Sequence, residues 1–261
     1  MRNKVIISFV VILLVFVSGC ISSTGKKQVP FFDNLGHYKF DYTKYAVAKI
    51  ITHNEDKIKY VCSAFAIKKT RRTYWFTTSS HCVSGNIKGT NKSKIDVTKV
   101  ELTIENRKTL NTETYYPKII AIGNQLDSED FAILEFETDT DIPLLIFSLR
   151  DMHIGDEIVN VNYPGFLGDK YKPGKIKKLH HLVDWKKHNV GVNWSDVILL
   201  SIPSYTHSLG TSGSPILHAP TGKVIGIVSG HAWEDNIDDV VVFSIDKFKM
   251  FLRKNGLYAV Q

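Results

Sequence analysis

The chain has 261 residues, 43% of them hydrophobic, and a formal net charge of +7 with 33 Lys and Arg against 26 Asp and Glu. That is the composition of a globular protein with a sizeable core. The basic excess sits mainly in Lys68-Lys69-Thr70-Arg71-Arg72 and in the lysines from Lys170 to Lys187. Without aromatic interleaving or a nucleic-acid motif these read as solvated loops, so no nucleic-acid partner is expected. There is no P-loop, no dinucleotide glycine pattern and no zinc-like Cys/His spacing, so neither a cofactor nor a metal is expected.

In chain order, Arg2 and Lys4 precede an apolar run from Val5 to Val17 that ends Val17-Ser18-Gly19-Cys20. A membrane-spanning helix needs about 20 apolar residues, so this shorter run suits an export signal over residues 1–19. The small residues before Cys20 resemble the lipobox of bacterial lipoproteins, which implies cleavage there, a lipid on Cys20 and a membrane as partner. A plain signal peptide or a short uncleaved anchor is the alternative. Residues 20–35 read as a lipidated tether and 36–261 as the folded domain. Removing residues 1–19 takes away Arg2 and Lys4 and no acid, leaving 31 basic residues against 26 acidic ones. Of the three cysteines, Cys62 and Cys82 remain as a pair; in an exported protein such a pair reads as a disulfide, with two buried thiols as the alternative.

Most of the remaining chain reads as short strands. Tyr45–Thr52, Tyr60–Ile67, Thr73–Thr78, Val97–Glu105 and Phe131–Phe136 are rich in β-branched and aromatic residues. So are Glu157–Tyr163, Lys175–Val183, Val197–Ile202, Lys223–Ser229 and Val240–Phe243. Many short strands separated by turn residues predict a sandwich or barrels, and the strand pattern does not choose between them. The last element is a helix over about 245–255. Ser244 is its N-cap, Ile245, Phe248, Phe251 and Leu252 its apolar stripe, and Gly256 its terminator.

Three segments carry chemistry. Gly210-Thr211-Ser212-Gly213-Ser214-Pro215 places a serine between glycines, as a nucleophile on a tight turn requires. Thr77-Thr78-Ser79-Ser80-His81-Cys82 supplies a histidine, and Asp130-Phe131-Ala132-Ile133-Leu134 an aspartate before an apolar run. Asp127 and Glu129 are rivals that lack that run directly behind them.

These segments, in the order His81, Asp130, Ser212, resemble the trypsin-like (chymotrypsin-fold) serine peptidases, over roughly residues 36–256. The Gly-x-Ser-Gly-Ser-Pro form resembles the bacterial branch that includes the glutamyl endopeptidases. The resemblance implies an all-β fold of two antiparallel six-stranded β-barrels and a short C-terminal helix. Barrel 1 would cover about 36–140 and barrel 2 about 141–243, with the active site between them. It implies His81, Asp130 and Ser212 as a triad, the N–H groups of Gly210 and Ser212 as an oxyanion hole, and a Cys62–Cys82 bridge beside the histidine. The substrate pocket would draw on Thr206, His207, Ser229, Gly230 and His231.

Two departures stand out. Thr211 replaces the Asp that animal relatives pair with a new N-terminus, which argues against activation through that ion pair. Ser80 replaces the usual Ala and adds a hydroxyl beside His81. Thr206 stands where lysine- and arginine-reading members carry an acid, and Val228 where glutamate-reading members carry a histidine. A small or apolar preference is therefore expected first, an acidic one second and a basic one last, with Asp238 and Asp239 as the acids able to reverse that order. The expected protein is an envelope-anchored monomeric endopeptidase acting on protein or peptide substrates. The alternatives are a catalytically silent binding or scaffold lipoprotein and an esterase.

Overall fold

The computed structural model describes residues 41–54, 57–84, 99–163, 171–184, 193–202, 210–231 and 239–258, all within one compact unit of residues 31–261. The segments expected to be an export signal and a tether, together with Cys20, Thr206, His207, Asp238 and the side chain of His231, lie outside the described residues.

Strands β1 (Val47–Asn54), β2 (Lys57–Thr70), β3 (Thr73–Thr78), β4 (Lys99–Glu105), β5 (Thr112–Tyr115), β6 (Lys118–Ile122) and β7 (Ala132–Glu137) form one sheet. Its order is β5-β4-β1-β2-β3-β7-β6. Strands β8 (Glu157–Val161), β9 (Tyr171–Asp184), β10 (Asn193–Ser201), β11 (Pro215–His218), β12 (Lys223–His231) and β13 (Asp239–Ser244) close into a barrel ordered β10-β13-β12-β11-β8-β9. All pairings between these strands are antiparallel. The architecture is the expected all-β chymotrypsin-like one with a terminal helix, although one of the two expected six-stranded barrels is an open sheet. The first sheet has seven strands in an open order and the second the expected six in a ring.

Period-2 alternation sorts the side chains into three cores. In β13, Val240 and Val242 point into the closed ring, where they meet Ile158, Ile198, Leu200 and Ile216. Val241 and Phe243 point the other way, into a shared core with Phe65, Phe131 and Ile133 from the first sheet. In β7, Ala132 and Leu134 join Phe76, Leu102 and Ile104 inside the first sheet. Strands such as β13, apolar on both faces, are buried along their length because each face belongs to a different core.

A short helix, α1 (His81–Ser84), follows β3, and α2 (Ile245–Lys254) follows β13. Ser244 caps α2 by accepting the Lys247 N–H at 3.3 Å. Ile245, Phe248, Phe251 and Leu252 bury its apolar stripe, and Gly256 ends it at φ +67°. Phe248 and Phe251 lie 5.3 and 5.6 Å from the ring of Phe131. The helix therefore backs the start of β7, next to Asp130.

Candidate active site

Asp130 is fully buried just before β7. A carboxylate in such a place persists only if its oxygens are hydrogen-bonded and a cation can form nearby. Oδ1 accepts the hydroxyl proton of Ser80 at 2.8 Å and the backbone N–H of His81 at 3.0 Å. Oδ2 faces Nδ1 of His81 at 2.8 Å and accepts a bond from the Ser229 hydroxyl. Burial pushes the Asp130 pKa up; the His81 charge and the bonds from His81 and Ser229 outweigh it, so the acid sits below the usual carboxylate value.

His81 opens α1, a single turn held by Val83 N–H to Ser80 O at 3.0 Å and Ser84 N–H to Ser80 O at 2.9 Å. The ionised carboxylate can only accept, so Nδ1 of His81 is the donor and Nε2 is left as the basic nitrogen. Burial pulls the imidazole pKa down, and the Asp130 charge and hydrogen bond outweigh that pull, leaving it above the ordinary histidine value. The two rivals are engaged elsewhere. Asp127 is exposed and accepts from Asn124 Nδ2 at 2.9 Å, and Glu129 pairs with Lys254 at 3.0 Å.

Ser212 lies on the turn between β10 and β11, next to β12. Gly210 and Gly213 both have positive φ, +100° and +82°. At Gly213 a side chain is also excluded by space, since a Cβ there would overlap the Ser63 carbonyl and the Thr78 hydroxyl. The turn is tied to the barrel by Gly213 N–H to Val228 O at 2.7 Å and Val228 N–H to Ser214 O at 3.0 Å. Asn160 on β8 donates to the Ser214 hydroxyl at 2.7 Å. It is tied to the first sheet by Ser63, whose N–H donates to Ser212 O at 2.8 Å.

The three sequence segments thus meet at the junction of the two sheets. Cys82, next to His81, touches the Ser212 carbonyl oxygen at 4.0 Å. Among the described residues, Ser212 Oγ makes no hydrogen bond to His81. Such bonds are often long without substrate and tighten in the complex. The N–H groups of Gly210 and Ser212 donate to no carbonyl of a described residue.

Cys62 and Cys82 form a disulfide, with Cα atoms 6.1 Å apart. Their sulfurs and a nitrogen of His81 lie within 4.8 Å of one another, but the S–S bond removes both sulfurs as thiolate ligands for a metal.

Of the expected pocket residues, Ser229 donates its hydroxyl to Asp130. Gly230 pairs with Val241 and His231 with Val240, beyond a bulge after Val228. Asp239 is buried and paired with Lys177 Nζ at 2.6 Å. The contributions of Ser63 and Ser229 have no local signature, because each bond joins segments far apart in sequence. Ser80 was legible as an added hydroxyl beside the histidine.

Two antiparallel β-sheets, one a closed six-stranded ring, with a His–Asp pair and a glycine-flanked serine at their junction, define the class of chymotrypsin-like folds. The chain belongs to the trypsin-like peptidase domain family, whose profile matches residues 62–227. The same fold occurs in the Rv3671c protease from M. tuberculosis in its active form. That structure is 21% identical, with a TM-score of 0.61 over 84% of this chain and 83% of that one. It also occurs in Deg5, 16% identical, with a TM-score of 0.60 over 84% of this chain and 94% of that one. A serine endoprotease from Yersinia pestis is 15% identical, with a TM-score of 0.58 over 82% of this chain and 64% of that one. No curated protein matches the sequence.

Proposed function

We propose that the chain is a serine endopeptidase held at a bacterial cell envelope by a lipid on Cys20. The observation that carries the catalytic part is the cradle around Asp130. One buried carboxylate accepts from Ser80, Ser229 and the His81 backbone and fixes the imidazole at 2.8 Å, beside the turn that bears Ser212.

Ser212 Oγ attacks the scissile carbonyl carbon while Nε2 of His81 takes the hydroxyl proton. Asp130 holds the tautomer and stabilises the imidazolium that forms. The N–H groups of Gly210 and Ser212 receive the oxyanion. Collapse expels the amine, which leaves with the proton from His81, and the acyl chain stays on Ser212. Water then attacks the ester by the same proton route, releasing the carboxylic acid and restoring Ser212. Thr211 supplies no carboxylate for a new N-terminus, so the enzyme works without zymogen cleavage of that kind.

The Gly-x-Ser-Gly-Ser-Pro likeness to glutamyl endopeptidases supports kinship in the nucleophile turn. Val228 supplies no histidine for a glutamate side chain, so the proposal does not extend to that specificity. The lipid anchor rests on the apolar run Val5–Val17 followed by Ser18-Gly19-Cys20.

Fluorophosphonate labelling tests the enzyme. The folded wild type should be labelled, and Ser212→Ala and His81→Ala should not. An unlabelled wild type would sink the proposal and leave a binding or scaffold protein. Metabolic incorporation of a fatty-acid analogue tests the anchor: equal incorporation into wild type and Cys20→Ser would remove the lipid from Cys20.

A further inference from the structure

We infer that Ser63 is a positioning residue for the proposed hydrolysis: its hydroxyl holds the Gly210 peptide and so aims the oxyanion-hole donors. The inference rests on the peptidase reading and names a residue outside the triad.

Ser63 lies on β2 and is 1% exposed. All its polar groups are committed to the site. Its N–H donates to Ser212 O at 2.8 Å, its hydroxyl donates to Gly210 O at 2.7 Å, and its carbonyl accepts the Thr78 hydroxyl at 2.7 Å. One residue thus grips the nucleophile turn at two carbonyls. Its neighbour Cys62 is bonded to Cys82, which follows His81. The His81 side and the Ser212 side of the site are referenced to the same two residues of β2.

The amide bond to Ser212 would exist with any non-proline residue at position 63. The hydroxyl bond would not. Gly210 needs it most, because glycine at φ +100° has no Cβ to restrict its torsions. Pinning its carbonyl fixes the 210–211 peptide, which lies between the two donor peptides, and so restrains the torsions on either side that direct the N–H groups of Gly210 and Ser212. Without the hydroxyl, the Gly210 carbonyl loses this partner and the peptide is held less firmly. An oxyanion hole works by donors already in place when charge develops, so the cost falls on the transition state and not on substrate binding.

The test compares purified wild type and Ser63→Ala in burst kinetics with p-nitrophenyl acetate, an activated ester that needs no specificity pocket. Burst amplitude counts competent sites, so a loss of folded fraction is separated from a loss of rate. The acylation rate constant per site should fall about 10- to 100-fold, since one full oxyanion donor is worth roughly 10²–10³. The substrate dissociation constant should stay within about 3-fold, as expected for an interaction made only in the transition state. The rate of fluorophosphonate labelling should fall in parallel. An acylation rate per site within about 2-fold of wild type overturns the inference, whatever happens to amplitude or thermal stability. A wild type with neither burst nor labelling overturns the peptidase reading and this assignment with it. A normal wild-type burst matched by Ser63→Ala overturns the assignment alone.

Discussion

Ser229, on β12 of the closed ring, donates its hydroxyl proton to Oδ2 of Asp130, the same oxygen that faces Nδ1 of His81. The bond crosses from one sheet to the other, so the carboxylate that orients the histidine is itself oriented by the barrel beside the Ser212 turn. A hydrogen bond to a charged group contributes about 1.5–3 kcal/mol. Ser229→Ala should therefore lower the melting temperature and cut kcat/KM about 10-fold, the share of orientation supplied by one of several partners. Thermal unfolding and steady-state kinetics on the same preparation check this; no change in either would show that the bond is idle.

The His81–Asp130 pair makes activity and stability respond oppositely to pH. Burial pulls the His81 pKa down, but the Asp130 charge and bond raise it above its ordinary value. The base must be neutral, so kcat/KM should rise along an acid limb centred above about pH 6.5. A raised histidine pKa contributes stability that is complete below about pH 6.5 and is lost as pH rises through the folded value. The lowered Asp130 value contributes stability that is complete above about pH 4 and is lost as pH falls through the folded value. The pair should thus stabilise most between about pH 4 and 6.5, where most of the His81 base is already protonated and activity is reduced. Asp130→Asn should lower kcat by about 10⁴, as a histidine held in the wrong tautomer does. Asp127→Asn, at an exposed side chain bonded to Asn124, should change neither the limb nor the rate. An acid limb centred below pH 6 would contradict the raised histidine.

Much of this was legible in the sequence, and the remainder was hidden for identifiable reasons. Thr73–Thr78 is a strand with the expected bounds, and Val240–Phe243 lies within β13, because β-branched and aromatic residues fill both faces. Strands β5 and β6 escaped notice. Thr112–Tyr115 has no buried residue and Lys118–Ile122 has only Ala121, so no apolar alternation marks them. They are strands because β4 and β7 supply ladder partners. Strand β11 opens on Pro215 and runs four residues, and a proline there is tolerated only because it takes the first position. His81, Asp130 and Ser212 stood out because each sits in a distinctive segment. The bond from Ser229 to Asp130 was not legible, since a serine at that point on a strand carries no sign of a partner 99 residues away.

Gly213 combines a positive φ with close packing against β2 and β3. Gly213→Ala would force a Cβ into the Ser63 carbonyl and the Thr78 hydroxyl, which belong to the frame that holds Ser212. Strain at such a position costs on the order of 1–3 kcal/mol, and the overlap adds to it. The expected variant is destabilised and unlabelled by fluorophosphonate at temperatures where it is still folded. Wild-type labelling in Gly213→Ala would show that the turn shifts without disturbing Ser212.

The Cys62–Cys82 bridge closes a segment with a sequence separation of 20 that contains β3 and His81. Closing a loop of this size contributes about 3 kcal/mol in the chain-entropy account. Replacing both cysteines by serine should lower stability by about that much and reduce activity per folded molecule, because Cys82 also touches the Ser212 carbonyl. Denaturant unfolding, with activity measured well below the transition, separates the two effects. Activity per folded molecule equal to wild type would confine the bridge to stability.

Substrate preference follows from the state of Asp239. A pocket that reads lysine or arginine needs a buried carboxylate whose charge is available to the substrate. Asp239 is buried, but its Oδ2 already lies 2.6 Å from Lys177 Nζ, an ion pair formed between β13 and β9. Recruiting it for a substrate cation would mean breaking that pair and leaving Lys177 without its partner. Breaking a buried pair costs about 3–5 kcal/mol, and an intermediate share of that applies here because the Lys177 side chain is 34% exposed. Cleavage after Lys or Arg should therefore be the least frequent class in a peptide-library profile, with small or apolar residues first and acidic ones second. Lys177→Met leaves Asp239 without its internal cation. If Asp239 borders the pocket, that variant should move the profile toward Lys and Arg while the wild type avoids them. A wild-type profile dominated by Lys or Arg would show that another acid, with Asp238 the first candidate, reads the substrate.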